Sequence, residues 1–209
     1  MRSQEALFQS LQDQGWAVSD DAIPLSLQES LYRQSQTLWQ AGHFHEAHVG
    51  RRENNALRTD IRGDSICWLE AGEPLMENND FFSWAADLRQ ELNQRFYLGL
   101  RSEEFHFARY PPGHGYKKHI DQHRSSQHRK ISVVLYLNPQ WASGDGGELC
   151  LYSPGNEEHE IQRVLPQPAR LVIFRSDTIP HEVLPAQQTR WSLSGWFRND
   201  SELEMGLAA

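Results

Sequence analysis

From about residue 104 the chain breaks into short β-rich segments: EFHFARY, KKHI, KISVVLYLN, ELCLYS, IQRVLP, ARLVIF, HEVLP and RWSLSGWF. Turn signals separate them, namely PPGHG, NPQWASGDGG, SPGNEE, PQP and PAQQ. Strands this short cannot bury an apolar face alone. Many of them with Gly/Pro turns specify a sandwich or barrel. The first hundred residues have a different texture. EALFQSLQDQGW places Leu7, Phe8 and Leu11 at helical spacing and stops at Gly15. PLSLQESLYRQSQTLWQAG continues through Leu27, Leu31 and Leu38 and ends at Gly42. NDFFSWAADLRQELNQRFYLG reads as a third helix, capped by Asn79 or Asp80 and closed by Gly99. Between the second and third, HFHEAHVGRRENNALRTDIRGDSICWLEAGEP reads as a loop or hairpin projecting from the body. The expectation is one domain over 1–209, mainly β with N-terminal helices. Residues 1–103 would be mostly helical support with a projecting loop at about 49–64, and 104–198 the β core.

Charge narrows the function. Against 28 acidic residues stand 20 basic ones, a net charge of -8, which argues against a general nucleic-acid binder. No run approaches the length of a membrane span, and MRSQEALFQSLQDQGW has no apolar signal core. Cys67 and Cys150 form neither a CxxC motif nor a disulfide framework. Two reduced, buried thiols in a cytoplasmic protein, with no membrane partner, are the expectation.

Chemistry concentrates in KKHIDQH. Strand alternation would send His119 and Asp121 to one face and Ile120 to the other. On its own this pair fits two arms of a metal site, a buried histidine oriented by a carboxylate, or two surface residues. A third ligand should come from another strand, and SDTIPHEVLP offers His181 between Pro180 and Pro185. Alone, His181 reads as a satisfied core histidine. Together, two imidazoles and one carboxylate make the facial triad of non-haem Fe(II) oxygenases, which leaves neighbouring coordination positions open. A closed four-ligand zinc site leaves no such room. Nine residues after His181 comes Arg190, expected on the next strand of a hairpin turned at PAQQ. Alone it reads as a strand-edge cation. Turned inward, it needs a partner, and a dicarboxylate such as 2-oxoglutarate supplies one. Tyr136 in VVLYLN is a second donor from a neighbouring strand.

Other polar clusters read as ordinary structure. His43, His45 and His48 beside Glu46 fit a helix end and loop entry better than a second metal site. His106 fits half-buried packing. GDGGEL lacks the Lys-Ser/Thr of a phosphate loop and reads as a turn between strands.

HID, PHEVLPAQQTR and WSLSGWF resemble the 2-oxoglutarate- and iron-dependent prolyl 4-hydroxylases, and most nearly the hypoxia-inducible-factor prolyl hydroxylase subgroup with its bacterial relatives. DIRGDSICWLEAGEP, ARYPPGHGYKKHID and RKISVVLYLN followed by GGELCLY extend the likeness over about residues 50–198. The resemblance implies a double-stranded β-helix, a jelly-roll relative of the cupins. It implies His119, Asp121 and His181 as iron ligands, Arg190 and Tyr136 on the distal carboxylate of 2-oxoglutarate, and Tyr110, Tyr116 and Trp196 lining the pocket. Asp64 and Arg129 match positions that tie a mobile loop to the core near a peptide substrate. The candidate lid is the stretch around 49–64, with Gly50, Arg51, Arg52 and Gly63. Implied cofactors are Fe(II), 2-oxoglutarate and O2, with ascorbate as a reductant. The implied reaction is hydroxylation at C4 of a proline in an exposed protein loop, with elongation factor Tu a candidate partner. Two rivals stay open: hydroxylation of a small molecule or free amino acid, and a catalytically silent binding module. The chain departs from the animal enzymes in a Tyr110–His119 interval shorter by one residue and in the composition of QHRSSQHR.

Overall fold

In the computed structural model the described residues are 2–47, 61–69, 79–122 and 127–201. Three helices, α1 (Arg2–Gln14), α2 (Leu25–Gln40) and α3 (Asn79–Phe96), precede or interrupt the strands. The early strands are β1 (Trp16–Ser19), β2 (His45–Glu46) and β3 (Ser65–Leu69). Eight more follow: β4 (Ser102–Tyr110), β5 (Tyr116–His119), β6 (Arg129–Tyr136), β7 (Leu149–Ser153), β8 (Asn156–Val164), β9 (Leu171–Arg175), β10 (His181–Val183) and β11 (Arg190–Arg198). All pair antiparallel in two sheets, ordered β1-β9-β6-β11-β4-β3-β2 and β5-β10-β7-β8. From β4 onward the chain passes back and forth between the sheets, which is the jelly-roll winding expected.

Period-two alternation sorts the larger sheet into two faces. Ile131, Val133 and Leu135 on β6, Leu193 and Phe197 on β11, and Phe105 and Phe107 on β4 pack on the helices through Leu7, Phe8, Leu31, Leu88 and Leu92. Phe105 meets Phe81 of α3 edge-on at 5.0 Å. Truncating a fully buried aromatic such as Phe107 to Ala would cost about 3–5 kcal/mol. The opposite face carries Ala108, Tyr110, Tyr136, Val172 and Phe174, which face the smaller sheet's Leu149, Leu151 and Val183. The functional cavity opens between the sheets.

Four expectations need correcting. The N-terminal half is not only helical support, because β1 adds to the edge of the larger sheet with Trp16 opposite Phe174 and Ser19 opposite Leu171. Strand β8 begins at Asn156, so the SPGNEE turn contracts to a tight reversal in which Gly155 takes φ 79°. The third helix closes at Tyr97, not Gly99. Tyr97 takes φ 53° and donates its N–H to Asn93 O at 3.1 Å. Asn93 holds the turn through Nδ2 to Leu100 O and Leu100 N–H to Oδ1. With its side chain in solvent, Tyr97 meets no opposing wall. Finally, β10 and β11 do not form a hairpin. They belong to different sheets, and PAQQ carries the chain across the space between them.

Candidate metal centre and its cavity

His119 closes β5 and His181 opens β10, and the two stand opposite each other in register. Their ring centroids are 4.2 Å apart. Asp121 was expected on the same strand as His119, but it lies past the strand end in a bend, after a partly exposed Ile120. The HxD spacing therefore converges through a turn and not through pleat alternation. The ligand atoms of His119, Asp121 and His181 all lie within 4.8 Å of one another. Asp121 Oδ1 is 3.4 Å from His119 Nε2, and Oδ2 is 3.5 Å from His181 Nε2.

The histidine tautomers follow from their other ring atoms. His119 Nδ1 meets Lys117 O at 2.8 Å and His181 Nδ1 meets Ile179 O at 3.1 Å. A carbonyl only accepts, so each Nδ1 carries a proton, and Nε2 is the ring atom that each imidazole turns toward the carboxylate. Burial is the main cause that pulls the His181 pKa down to about 4, with Asp121 opposing and His119 adding to the fall. Burial resists ionisation of Asp121. The neighbouring histidines and a hydrogen bond from Ser132 outweigh it and hold the carboxyl well below its usual range. With each Nδ1 committed to a carbonyl, two Nε2 atoms and one carboxylate converge on one point, a donor set that fits a cation. His119 is braced by stacking on Tyr116 at 3.6 Å, and His181 by Phe174 at 4.6 Å.

At one end of a cavity of about 610 Å³ lies Arg190, at 1% exposure. Its Nε donates to Gly147 O at 3.0 Å and its Nη1 to Ser192 Oγ at 3.2 Å. Among the described residues no carboxylate lies within ion-pair distance of it. Tyr110 and Tyr136 flank the guanidinium at 5.2 and 4.9 Å. Tyr110 and Arg190 line the cavity, and the Tyr136 Oη, buried beside them, has no hydrogen-bond partner among the described residues. A buried guanidinium without a counter-charge, beside an orphaned hydroxyl, fits a bound carboxylate. GDGGEL is a turn, as expected, but it also shapes this end. Gly147 takes φ 71°, and a Cβ there would sit 3.2 Å from Arg190 Cδ.

The other end is aromatic and cationic. Trp196 lines it with Arg129, whose Cζ lies 3.4 Å over the indole centroid and whose Nε donates to Glu104 Oε1 at 2.8 Å. His106 is not half-buried but 2% exposed, and it packs against Trp68 at 4.9 Å and Trp196 at 5.5 Å. Among the described residues neither His106 Nδ1 nor Trp196 Nε1 has a hydrogen-bond partner. Trp68 and Ile120, both partly exposed, also line the cavity.

Most of the sequence-derived site is therefore gathered in one cavity: the triad, Tyr110, Tyr116, Arg129, Arg190 and Trp196. Asp64 stands outside it. It is buried and held in a bidentate pair with Arg62 at 2.7 and 3.0 Å, and it is Arg62 that reaches the cavity wall and lies over the Tyr116 ring at 4.9 Å. Gly63 packs against His114 so closely that a Cβ would approach it to 2.7 Å. The lid positions Gly50, Arg51 and Arg52 lie outside the described residues, as does His48. His43 precedes a short strand, and His45 and Glu46 form it at the sheet edge, in place of the expected loop entry. Both cysteines are free and buried. Sequence reasoning missed Arg62, Trp68 and Ser132. The signal was alternation: Ser132 shares the inward face of β6 with Tyr136, a polar residue where an apolar one would pack more cheaply.

The family model described as the 2OG-Fe(II) oxygenase superfamily matches residues 105–198. Among solved structures, a Pseudomonas putida prolyl-4-hydroxylase is 35% identical with a TM-score of 0.81, covering 93% of this chain and 98% of that one. A Trichoplax adhaerens prolyl hydroxylase, solved with a hypoxia-inducible-factor oxygen degradation domain peptide, is 30% identical with a TM-score of 0.83, covering 100% of this chain and 93% of that one. Human Egl nine homolog 1 is 28% identical over 205 residues, which are 95% of this chain and 47% of that protein. The chain thus spans about half the length of the first curated relatives it matches.

Proposed function

The chain belongs to the prolyl hydroxylases of the 2OG-Fe(II) oxygenase superfamily, and on that premise we propose that it hydroxylates a proline in an exposed loop of a protein. The observation that carries the reading is one cavity holding both an open His119–Asp121–His181 triad and a buried, uncompensated Arg190. His119, Asp121 and His181 would hold Fe(II). With 2-oxoglutarate and dioxygen, the bound ion supplies the oxidising power for C–H hydroxylation, chemistry that no side chain here provides. Arg190 receives the far carboxylate of the cosubstrate through paired N–H donors, and Tyr136 Oη, without a partner otherwise, completes the set. Tyr110, Leu149 and Val183 exclude water along that path.

A proline ring fits the remaining aromatic lobe. Its φ is fixed and it has no N–H to satisfy, so its presentation between Trp196 and Tyr116 costs little ordering. Elongation factor Tu is our candidate target and the cytoplasm our candidate compartment. Support for both is resemblance to the bacterial branch and cysteine usage alone.

The test is to incubate purified protein with Fe(II), 2-oxoglutarate, oxygen and a proteome extract, then map peptides by mass. A gain of one oxygen on a proline, absent without 2-oxoglutarate, is expected. Succinate release with free amino acids, but with no protein in the extract, would replace this reading with small-molecule hydroxylation.

A further inference from the structure

Asp121 poses a problem that the two histidines do not. His119 and His181 are fixed by the β5–β10 ladder and by carbonyls on their Nδ1 atoms. Asp121 lies beyond the end of β5, where no ladder holds it. Its carboxylate is held from another strand. Ser132 Oγ–H of β6 donates to Asp121 Oδ2 at 2.6 Å, a length typical of a hydroxyl on a charged acceptor. Ser132 Oγ also lies 2.9 Å from Ser176 Oγ, and the two serines are 1% and 0% exposed. A serine hydroxyl has one proton. That of Ser132 is committed to the carboxylate, so Ser176 must donate to Ser132.

Ser176 is anchored in turn. Its N–H donates to Lys130 O at 3.0 Å, and its carbonyl accepts from Gln122 N–H at 2.9 Å. Gln122 directly follows Asp121, and its Nε2 donates to Arg129 O at 2.9 Å. Ser176 therefore grips the ligand turn twice, through the backbone at Gln122 and through Ser132 at the carboxylate.

We propose that Ser132 and Ser176 form a directed hydroxyl relay that aims the Asp121 carboxylate at the metal position, so that both are positioning residues for the third ligand. The inference rests on the metal-centre reading above. A plain structural role, two buried serines satisfying each other, needs no carboxylate and gives the Ser132 proton no fixed direction. Relay members act in series. Removing Ser132 cuts the chain, whereas removing Ser176 leaves Ser132 bonded to Asp121 but less constrained.

Mn(II) alone serves as the probe, a redox-quiet substitute for Fe(II), with the free aquo ion counted by electron paramagnetic resonance during titration into the whole protein. Loss of a group that orients a ligand weakens metal affinity by about 10–100-fold, and that range is expected for Ser132→Ala. Ser176→Ala should lose less, about threefold to tenfold by the same scale. The double variant should bind no more weakly than Ser132→Ala, as groups in series are non-additive. Ser132→Thr, which restores the hydroxyl, should recover most of the affinity. Melting of the metal-free variants identifies any that fail to fold, and Ser176→Ala and Ser132→Thr keep the question decidable in that event. Ser132→Ala binding Mn(II) as wild type does, or penalties that simply add in the double variant, would overturn the relay. Wild-type protein that binds no Mn(II) overturns the metal centre itself, a result visible before any variant is made.

Discussion

Arg190→Met separates two quantities that a structural arginine would move together. Arg190 is 1% exposed and has no carboxylate partner among the described residues. Without cosubstrate, its buried charge is a liability. Replacing such a charge with an apolar side chain of similar size is neutral or stabilising by about 1–4 kcal/mol. Against this stand the bonds to Gly147 O and Ser192 Oγ, worth about 1 kcal/mol each. The net change in folding stability should fall between about 2 kcal/mol of loss and about 2 kcal/mol of gain. Binding moves the other way. Truncating one partner of a buried charge pair costs about 2–5 kcal/mol. A central 3 kcal/mol is roughly 150-fold in the dissociation constant of 2-oxoglutarate. Urea unfolding of the ligand-free protein gives the first number. Anaerobic calorimetric titration of 2-oxoglutarate into Mn(II)-loaded protein gives the second. A variant that unfolds about 3 kcal/mol more easily yet binds 2-oxoglutarate as wild type does would refute the reasoning, since large losses of that kind mark a structural residue.

Further outcomes follow from the same cavity. Gly147→Ala forces φ 71° on a residue with a Cβ and crowds Arg190 Cδ. It should cost about 1–2 kcal/mol of stability and raise the KM for 2-oxoglutarate several-fold, and a KM unchanged within error would contradict the cradle. Tyr136→Phe removes a buried hydroxyl without a partner, so the ligand-free protein should melt no lower, while 2-oxoglutarate affinity falls about tenfold, one hydrogen bond to a charged group. Burial holds the His106 imidazole well below its ordinary pKa, with Arg62 and Arg129 adding to the shift. As pH falls below about 6.5 the unfolded chain binds a proton that the folded chain refuses, so this group's share of stability declines by up to about 1.4 kcal/mol per pH unit. In His106→Leu that share is absent. Urea midpoints taken at neutral and mildly acidic pH should therefore fall less steeply than in wild type, and identical slopes would count against a buried neutral His106.

The core strands were legible because turn residues separate them and each carries apolar residues at alternating positions, as in β6, or in a short continuous run, as in β9. Strand β1 was not, because four residues, WAVS, give no periodicity to read, and its place is decided by pairing with β9 over 150 residues later. The chain's passage from β10 to β11 read as a hairpin because turn residues report a reversal and not which sheet receives the next strand. At the site, His119, His181 and Arg190 could be read from residue type and order. Asp121 lies beside the two histidines, but not through the strand alternation expected, since its position comes from a turn that contacts Ser132 and Ser176. Those serines carry no motif and become visible only when β6 and the β9–β10 connection are brought together. His106 read as half-buried because EFHFARY gives no hint of the tryptophans on β3 and β11 that enclose it.

The most direct measurement is anomalous diffraction from crystals grown anaerobically with Mn(II) and 2-oxoglutarate. The expected result is a single metal peak bounded by His119 Nε2, His181 Nε2 and an Asp121 carboxylate oxygen, at about 2.0–2.2 Å from each, with the far carboxylate of 2-oxoglutarate on Arg190. A metal peak away from these three side chains, or 2-oxoglutarate bound with Arg190 still unpaired, would contradict it.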